Sequence, residues 1–200
     1  SKSMAHRLLI CAAMCEGESE IRGIEPSDDV LATIDCLSAL GVKIEHDADM
    51  VKVKGIDFKS ATCHAPLNAR ESGSTLRFFI PLLWLSGSSF TITGSERLMS
   101  RPQSVYEKIA DEKGIYILGS SDSVSVRGPL AYGEYRLSGD VSSQFITGLL
   151  FALSTLKEDS RITITTAIES KSYIDLTISA MARFGVCIVW ENDSTLFIKG

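Results

Sequence analysis

Two hundred residues, 44% of them hydrophobic, suffice for a full core, and a net charge of −5 excludes a protein that works by broad attraction to nucleic acid or an anionic membrane. No run of four basic residues occurs, and no apolar stretch reaches the ~18 residues of a membrane span. Five scattered cysteines without a CxxC pair (Cys11, Cys15, Cys36, Cys63, Cys187) fit reduced thiols in a cytoplasmic protein rather than a disulfide framework or a metal site.

In chain order, SKSMAHRLL (1–9) predicts a helix, IRGI (21–24) a short strand, and VLATIDCLSAL (30–40) a helix closed by Gly41. GVKIE and VKVKG then read as two strands ending at Gly55. The next stretch, SGSTLRFFIPLLWL (72–85), places small polar residues ahead of an almost wholly apolar helix, in which Pro81 predicts a kink. FTITG, the helix VYEKIADEK closed by Gly114, and the strands GIYIL and VSVRG follow. The third stretch repeats the plan, with SSQFITGLLFAL, RITITT, YIDLTISAMARF closed by Gly185, then GVCIV and LFIKG.

The strand-closing glycines Gly55, Gly128 and Gly200 recur 73 and then 72 residues apart, which marks an internal repeat. Three units (about 1–70, 71–139 and 140–200) each read as helix, short strand, helix, strand, strand. The strands alternate apolar and polar residues, so one face meets water. The first helix of the second and third units is apolar on every side and belongs inside. An α/β fold follows, with helices inside and sheets outside. The repeat also copies the direction of three central helices, so their N-termini gather at one surface. Orphan N–H groups and positive dipole ends there form an anion site on an acidic protein.

The motifs SKSMAHR, SGSTLR, Arg101-Pro102, GDVSSQF and SKSYID resemble, in order and spacing, the N-terminal half of the 5-enolpyruvylshikimate-3-phosphate synthase family. The resemblance covers nearly the whole chain. It implies an inverse α/β barrel domain of three βαβαββ-like repeats with mixed sheets. It also implies a transferase that moves the enolpyruvyl group of phosphoenolpyruvate to the 5-hydroxyl of shikimate 3-phosphate, without a cofactor. The chain opens inside a motif, without an initiator Met, so one substrate-binding domain of a longer protein is expected, inactive without its C-terminal half.

By the same resemblance Ser3, Arg7, Ser142, Ser143, Gln144, Ser170 and Tyr173 hold shikimate 3-phosphate. Lys2, Gly73, Arg101 and Gln144 face phosphoenolpyruvate, and no principal acid–base residue lies in this half. Alternatives are half of the UDP-N-acetylglucosamine enolpyruvyl transferase, which shares the fold, and a non-catalytic anion-binding module.

Other residues carry blander expectations. Glu71 stands where relatives carry Asn, and should pair with Arg77 or turn away. Gln103 and Ser104 replace an apolar pair associated with sensitivity to the family inhibitor glyphosate. Arg77 is read as structural, through Glu71 or a neighbouring helix. Asp28 and Asp29 are read as first-turn partners of a helix dipole. Pro102 is placed in the first turn of a helix, Lys171 toward solvent, and His6, His46 and His64 have no metal-like spacing.

Overall fold

The computed structural model describes residues 1–200. Its first unit comprises α1 (Lys2–Met14), β1 (Glu18–Arg22), α2 (Asp28–Ala39), β2 (Lys43–Asp47) and β3 (Met50–Lys54). The second comprises β4 (Leu67–Asn68), α3 (Gly73–Leu83), β5 (Ser89–Thr93), a short α4 (Glu96–Met99), α5 (Ser104–Lys113), β6 (Tyr116–Gly119) and β7 (Ser123–Arg127). The third comprises β8 (Glu134–Leu137), α6 (Ser143–Leu153), β9 (Ser160–Ile164), α7 (Lys171–Ala182), β10 (Ile188–Trp190) and β11 (Thr195–Ile198).

The two complete sheets share one strand order, β4-β5-β7-β6 and β8-β9-β11-β10, in which the first pair is parallel and the others antiparallel. The first sheet, β1-β3-β2, has the same antiparallel core but no strand on the outer edge of β1. Pattern reading missed β4 and β8 because two and four residues offer too little alternation. It also placed the first short strand at 21–24, whereas the pairing runs from Glu18 to Arg22. Ser19 and Glu20 join the ladder despite poor strand propensity, because β3 supplies their backbone partners.

Strands bury alternate residues against the helices: Val51 and Val53 in β3, Val124 and Val126 in β7. Helices α3 and α6 are buried almost throughout and lie along each other at the centre. Helix α1 packs against α2 and α7 instead, so the central trio is less symmetric than the repeat implies. This is the physical counterpart of its more polar sequence, with His6 and Arg7 buried among apolar residues. The outer helices end on Gly41, Gly114 and Gly185, all at positive φ, where other residues would be strained.

The spacing that exposed the repeat has a packing cause. A Cβ on Gly55 would lie 1.9 Å from the Cys15 carbonyl oxygen, and one on Gly128 1.8 Å from that of Trp84. The first two units return their last strand against the end of their own inner helix, and only glycine fits; in the third, Gly200 closes instead on the Glu158 backbone just ahead of β9. Gly55→Ala should therefore destabilise the fold by several kcal/mol, on the order of 3 or more. Gly119→Ala, at a position with no atom within 4 Å, should shift the urea midpoint little. Equal midpoints for the two variants would refute this account.

His6 shows how completely α1 is enclosed. Its Nδ1 lies 2.8 Å from Thr33 Oγ1, while Nε2 is buried without a partner. Burial, assisted by Arg7 and Lys2 and opposed by Asp29, lowers its pKa from 6.5 to about 4. The unfolded chain takes up this proton near pH 6.5 and the folded chain only near pH 4. Stability is therefore full above pH 6.5 and falls across that window, by up to about 3 kcal/mol. Urea titrations at pH 7.5 and 4.5 should show the extra acid loss in the wild type and its reduction in His6→Asn.

Candidate functional site

The N-terminal ends of α1, α3, α6 and α7 open on one cleft of about 430 Å³. None of these four helices carries an acidic residue in its first turn, whereas α2, α4 and α5 all do. The positive poles facing the cleft are thus left without an adjacent carboxylate on their own helix. A bound anion there would gain roughly 0.3–1 kcal/mol per helix end, more where water is excluded.

All ten sequence-predicted site residues line this cleft. From α1 come Lys2, Ser3 and Arg7. Arg7 is buried, not the surface arginine that an N-terminal helix turn allows. Its Nε donates to Thr177 Oγ1 at 2.8 Å, Nη1 to the Ser3 carbonyl at 2.7 Å and Nη2 to that of Tyr173 at 3.3 Å. Its guanidinium also sits over the rings of Phe78 and Tyr173. Burial draws its pKa down to about 10, so it stays charged at neutral pH, and no carboxylate pairs with it. These contacts fix a cation whose counter-ion must come from the cleft side.

Helix α3 contributes Gly73 and Ser74 behind the Ser72 cap, whose oxygen accepts from Thr75 N at 3.1 Å. Arg101 reaches Gly73 from the turn after α4. A Cβ on Gly73 would lie 2.7 Å from Arg101 Nη1, so any larger residue meets this guanidinium before it meets a ligand. Pro102 precedes the helix rather than entering its first turn, because α5 starts at Ser104 with Gln103 as its cap position.

Ser142 caps α6 through Gln144 N, while the Ser143 hydroxyl, like those of Ser3 and Ser170, makes no hydrogen bond within the protein. Gln144 is held at both ends of its amide. Oε1 accepts from Arg77 Nη1 at 3.0 Å and Nε2 donates to Ser74 Oγ at 3.1 Å. Ser170 adopts left-handed backbone (φ 56°) at the start of α7, and Tyr173 stands half-exposed one turn on.

Some expectations change. Of the two partners expected for Arg77 the neighbouring helix is the one found, since it binds Gln144 of α6 rather than Glu71 and lies 4.4 Å over the Phe145 ring. Glu71 lines the cleft without an ion-pair partner. Asp29 is more than a dipole partner, since its carboxylate takes Lys2 Nζ at 2.7 Å on the cleft wall. Sequence reading missed this pair because the two residues lie 27 positions apart on different helices. Lys171 pairs with Asp175 and covers Trp190. A second cavity, about 320 Å³ and largely apolar, lies at the opposite helix ends around Cys11, Phe58 and Phe184, without converging cations. No cluster of His, Cys, Asp or Glu has metal-ligand geometry, and no helix is long and apolar enough to cross a membrane.

The same organisation is found among known proteins. The structure of EPSP synthase from Acinetobacter baumannii superposes over the whole chain with a TM-score of 0.85 at 24% identity, covering 45% of that chain, which establishes a shared fold. The 3-phosphoshikimate 1-carboxyvinyltransferases of Clostridium kluyveri and Clostridium botulinum are 44% and 45% identical over the full chain. The chain spans about half the length of these curated relatives, 47% and 48% respectively. The profile of the family described as EPSP synthase (3-phosphoshikimate 1-carboxyvinyltransferase) matches residues 1–200. With fold, identity and family profile in agreement across its whole length, the chain belongs to the EPSP synthase family.

Proposed function

We propose that these 200 residues are one substrate-binding domain, the shikimate-3-phosphate half of a 3-phosphoshikimate 1-carboxyvinyltransferase. The observation that carries this reading is the convergence of four acid-free helix ends with Arg7, Arg101 and Lys2 on a single cleft. Shikimate 3-phosphate and phosphoenolpyruvate both carry phosphate and carboxylate groups, so gathering them requires this density of cations and N–H donors.

In this reading Ser3, Arg7, Ser142, Ser143, Ser170 and Tyr173 hold shikimate 3-phosphate. Lys2, Gly73 and Arg101 face phosphoenolpyruvate, and Gln144 stands between the two. The free hydroxyls of Ser143 and Ser170 suit a phosphate, since each has a proton to donate and no protein partner to lose. Transfer also requires one group to protonate the methylene carbon of phosphoenolpyruvate and another to take the 5-hydroxyl proton. The cleft offers two carboxylates, Asp29 and Glu71, and Asp29 is engaged by Lys2. The remaining acid–base groups belong to the other half of the protein, and this chain alone binds without turnover. The reading also places the protein in the cytoplasm, where its five free thiols stay reduced.

Ser143→Ala with Ser170→Ala should weaken shikimate 3-phosphate binding at least about tenfold, at roughly 1.5 kcal/mol for each charge-assisted hydrogen bond lost. Calorimetric titration of the whole protein, with urea midpoints confirming unchanged folding, measures the effect; equal affinities would remove the assignment. A whole protein that binds both substrates yet never releases phosphate would favour the non-catalytic module.

A further inference from the structure

We propose that His6, Thr33 and Thr75 form a hydrogen-bonded relay that positions the first turn of α3, and with it the phosphoenolpyruvate corner of the cleft. The proposal rests on the substrate reading above. The relay crosses three helices: His6 Nδ1 lies 2.8 Å from Thr33 Oγ1, and Thr33 Oγ1 lies 2.8 Å from Thr75 Oγ1. Thr75 Oγ1 donates to Ser72 Oγ at 2.7 Å, and the same Ser72 oxygen caps α3. His6, Thr33, Thr75 and Ser72 are all buried, at 2%, 0%, 0% and 2% exposure.

Each hydroxyl has one proton, so one end of the chain fixes the direction of all of it. Thr75 gives its proton to Ser72, so Thr33 must give its proton to Thr75, and Nδ1–H of His6 must supply Thr33. His6 is therefore the Nδ1–H tautomer with a bare Nε2. That agrees with an Nε2 that has no partner, because an unpaired buried acceptor is tolerated better than an orphan N–H. Burial, which lowers the imidazole pKa to about 4, keeps the ring in this neutral state.

Three helices could be held together by apolar contacts alone. A buried polar chain does something more specific, since it is satisfied at one rotation of α3 about its axis. Ser72 immediately precedes Gly73 and Ser74 on the cleft wall, where the Arg101 guanidinium lies against Gly73, within 2.7 Å of where a Cβ would stand. A small rotation of this turn therefore changes the Gly73–Arg101 gap directly. The start of α6 meets this turn through one hydrogen bond, from Gln144 Nε2 to Ser74 Oγ, and the Tyr106 hydroxyl holds it further along at the Arg77 and Phe145 carbonyls. Ser142, Ser143 and Ser170 make no hydrogen bond to α3, so losing the relay should affect phosphoenolpyruvate far more than shikimate 3-phosphate.

The test uses the active polypeptide that joins this chain to the remaining half found in its relatives. Thr33→Val, of similar volume but without the hydroxyl, should raise KM for phosphoenolpyruvate about tenfold and leave that for shikimate 3-phosphate nearly unchanged. Thr33→Ser, which keeps the hydroxyl, should restore the wild-type value. An unchanged phosphoenolpyruvate KM in Thr33→Val, an equal rise for both substrates, or no rescue by serine would overturn the positioning role. Long-range ¹⁵N NMR of the His6 ring reads the tautomer independently of activity. A proton on Nδ1 is expected, and one on Nε2 would overturn the relay's direction. Absence of turnover in the wild type would remove the substrate reading and the positioning role with it, while the tautomer result would stand on its own.

Discussion

Everything at the cleft depends on buried helices that point the same way. A helix end on a protein surface normally acquires an acidic residue or a shell of water, and α2, α4 and α5 follow that habit with Asp28, Glu96 and Glu107. The four cleft-facing helices carry none in their first turns, and α3 and α6 are buried almost throughout, so they cannot turn their ends out into water. The repeat makes this arrangement possible, since copying one unit also copies its helix direction. The sheets take the solvent-facing role that helices play in most α/β proteins, which leaves the helices free to deliver their ends to a common point.

The side chains extend the same logic. Arg7 is desolvated, tied down by a hydroxyl and two carbonyls, and given no carboxylate; Arg77 is likewise held by an amide and an aromatic face. Burying cations this way costs stability unless a counter-ion arrives. The folded chain therefore carries a standing electrostatic deficit that a bound anion would relieve, and acidic overall composition leaves that deficit local. Lys2 is the exception, since Asp29 already neutralises it and a ligand must compete for it.

Much of this was legible in the sequence because it is periodic. The glycines at 55, 128 and 200 disclosed the units, and the close approach of Gly55 to Cys15 shows why the spacing is rigid. That the expected residues share one cleft was legible because most of them sit in short motifs at helix starts. What stayed hidden was pairwise and long-range. Lys2 with Asp29, Arg77 with Gln144 and Arg7 with Thr177 join positions 27, 67 and 170 residues apart, and no local pattern encodes such meetings. For Arg77 both Glu71 and a neighbouring helix were open, and tertiary packing chose the helix, at a residue the sequence did not name. Strands β4 and β8 were hidden for a different reason, since their pairing lies in the neighbouring strand rather than in their own residues.

In the two four-stranded sheets the parallel edge strand comes from the residues just ahead of an inner helix, β4 ahead of α3 and β8 ahead of α6. One short run of chain therefore sets both the rim of a sheet and the aim of the helix end that follows it. A slip of either strand along its neighbour would carry the cleft-facing turn with it, by about 3.3 Å for each residue of shift. The outer sheets thus act as the rulers by which the inner helices are positioned.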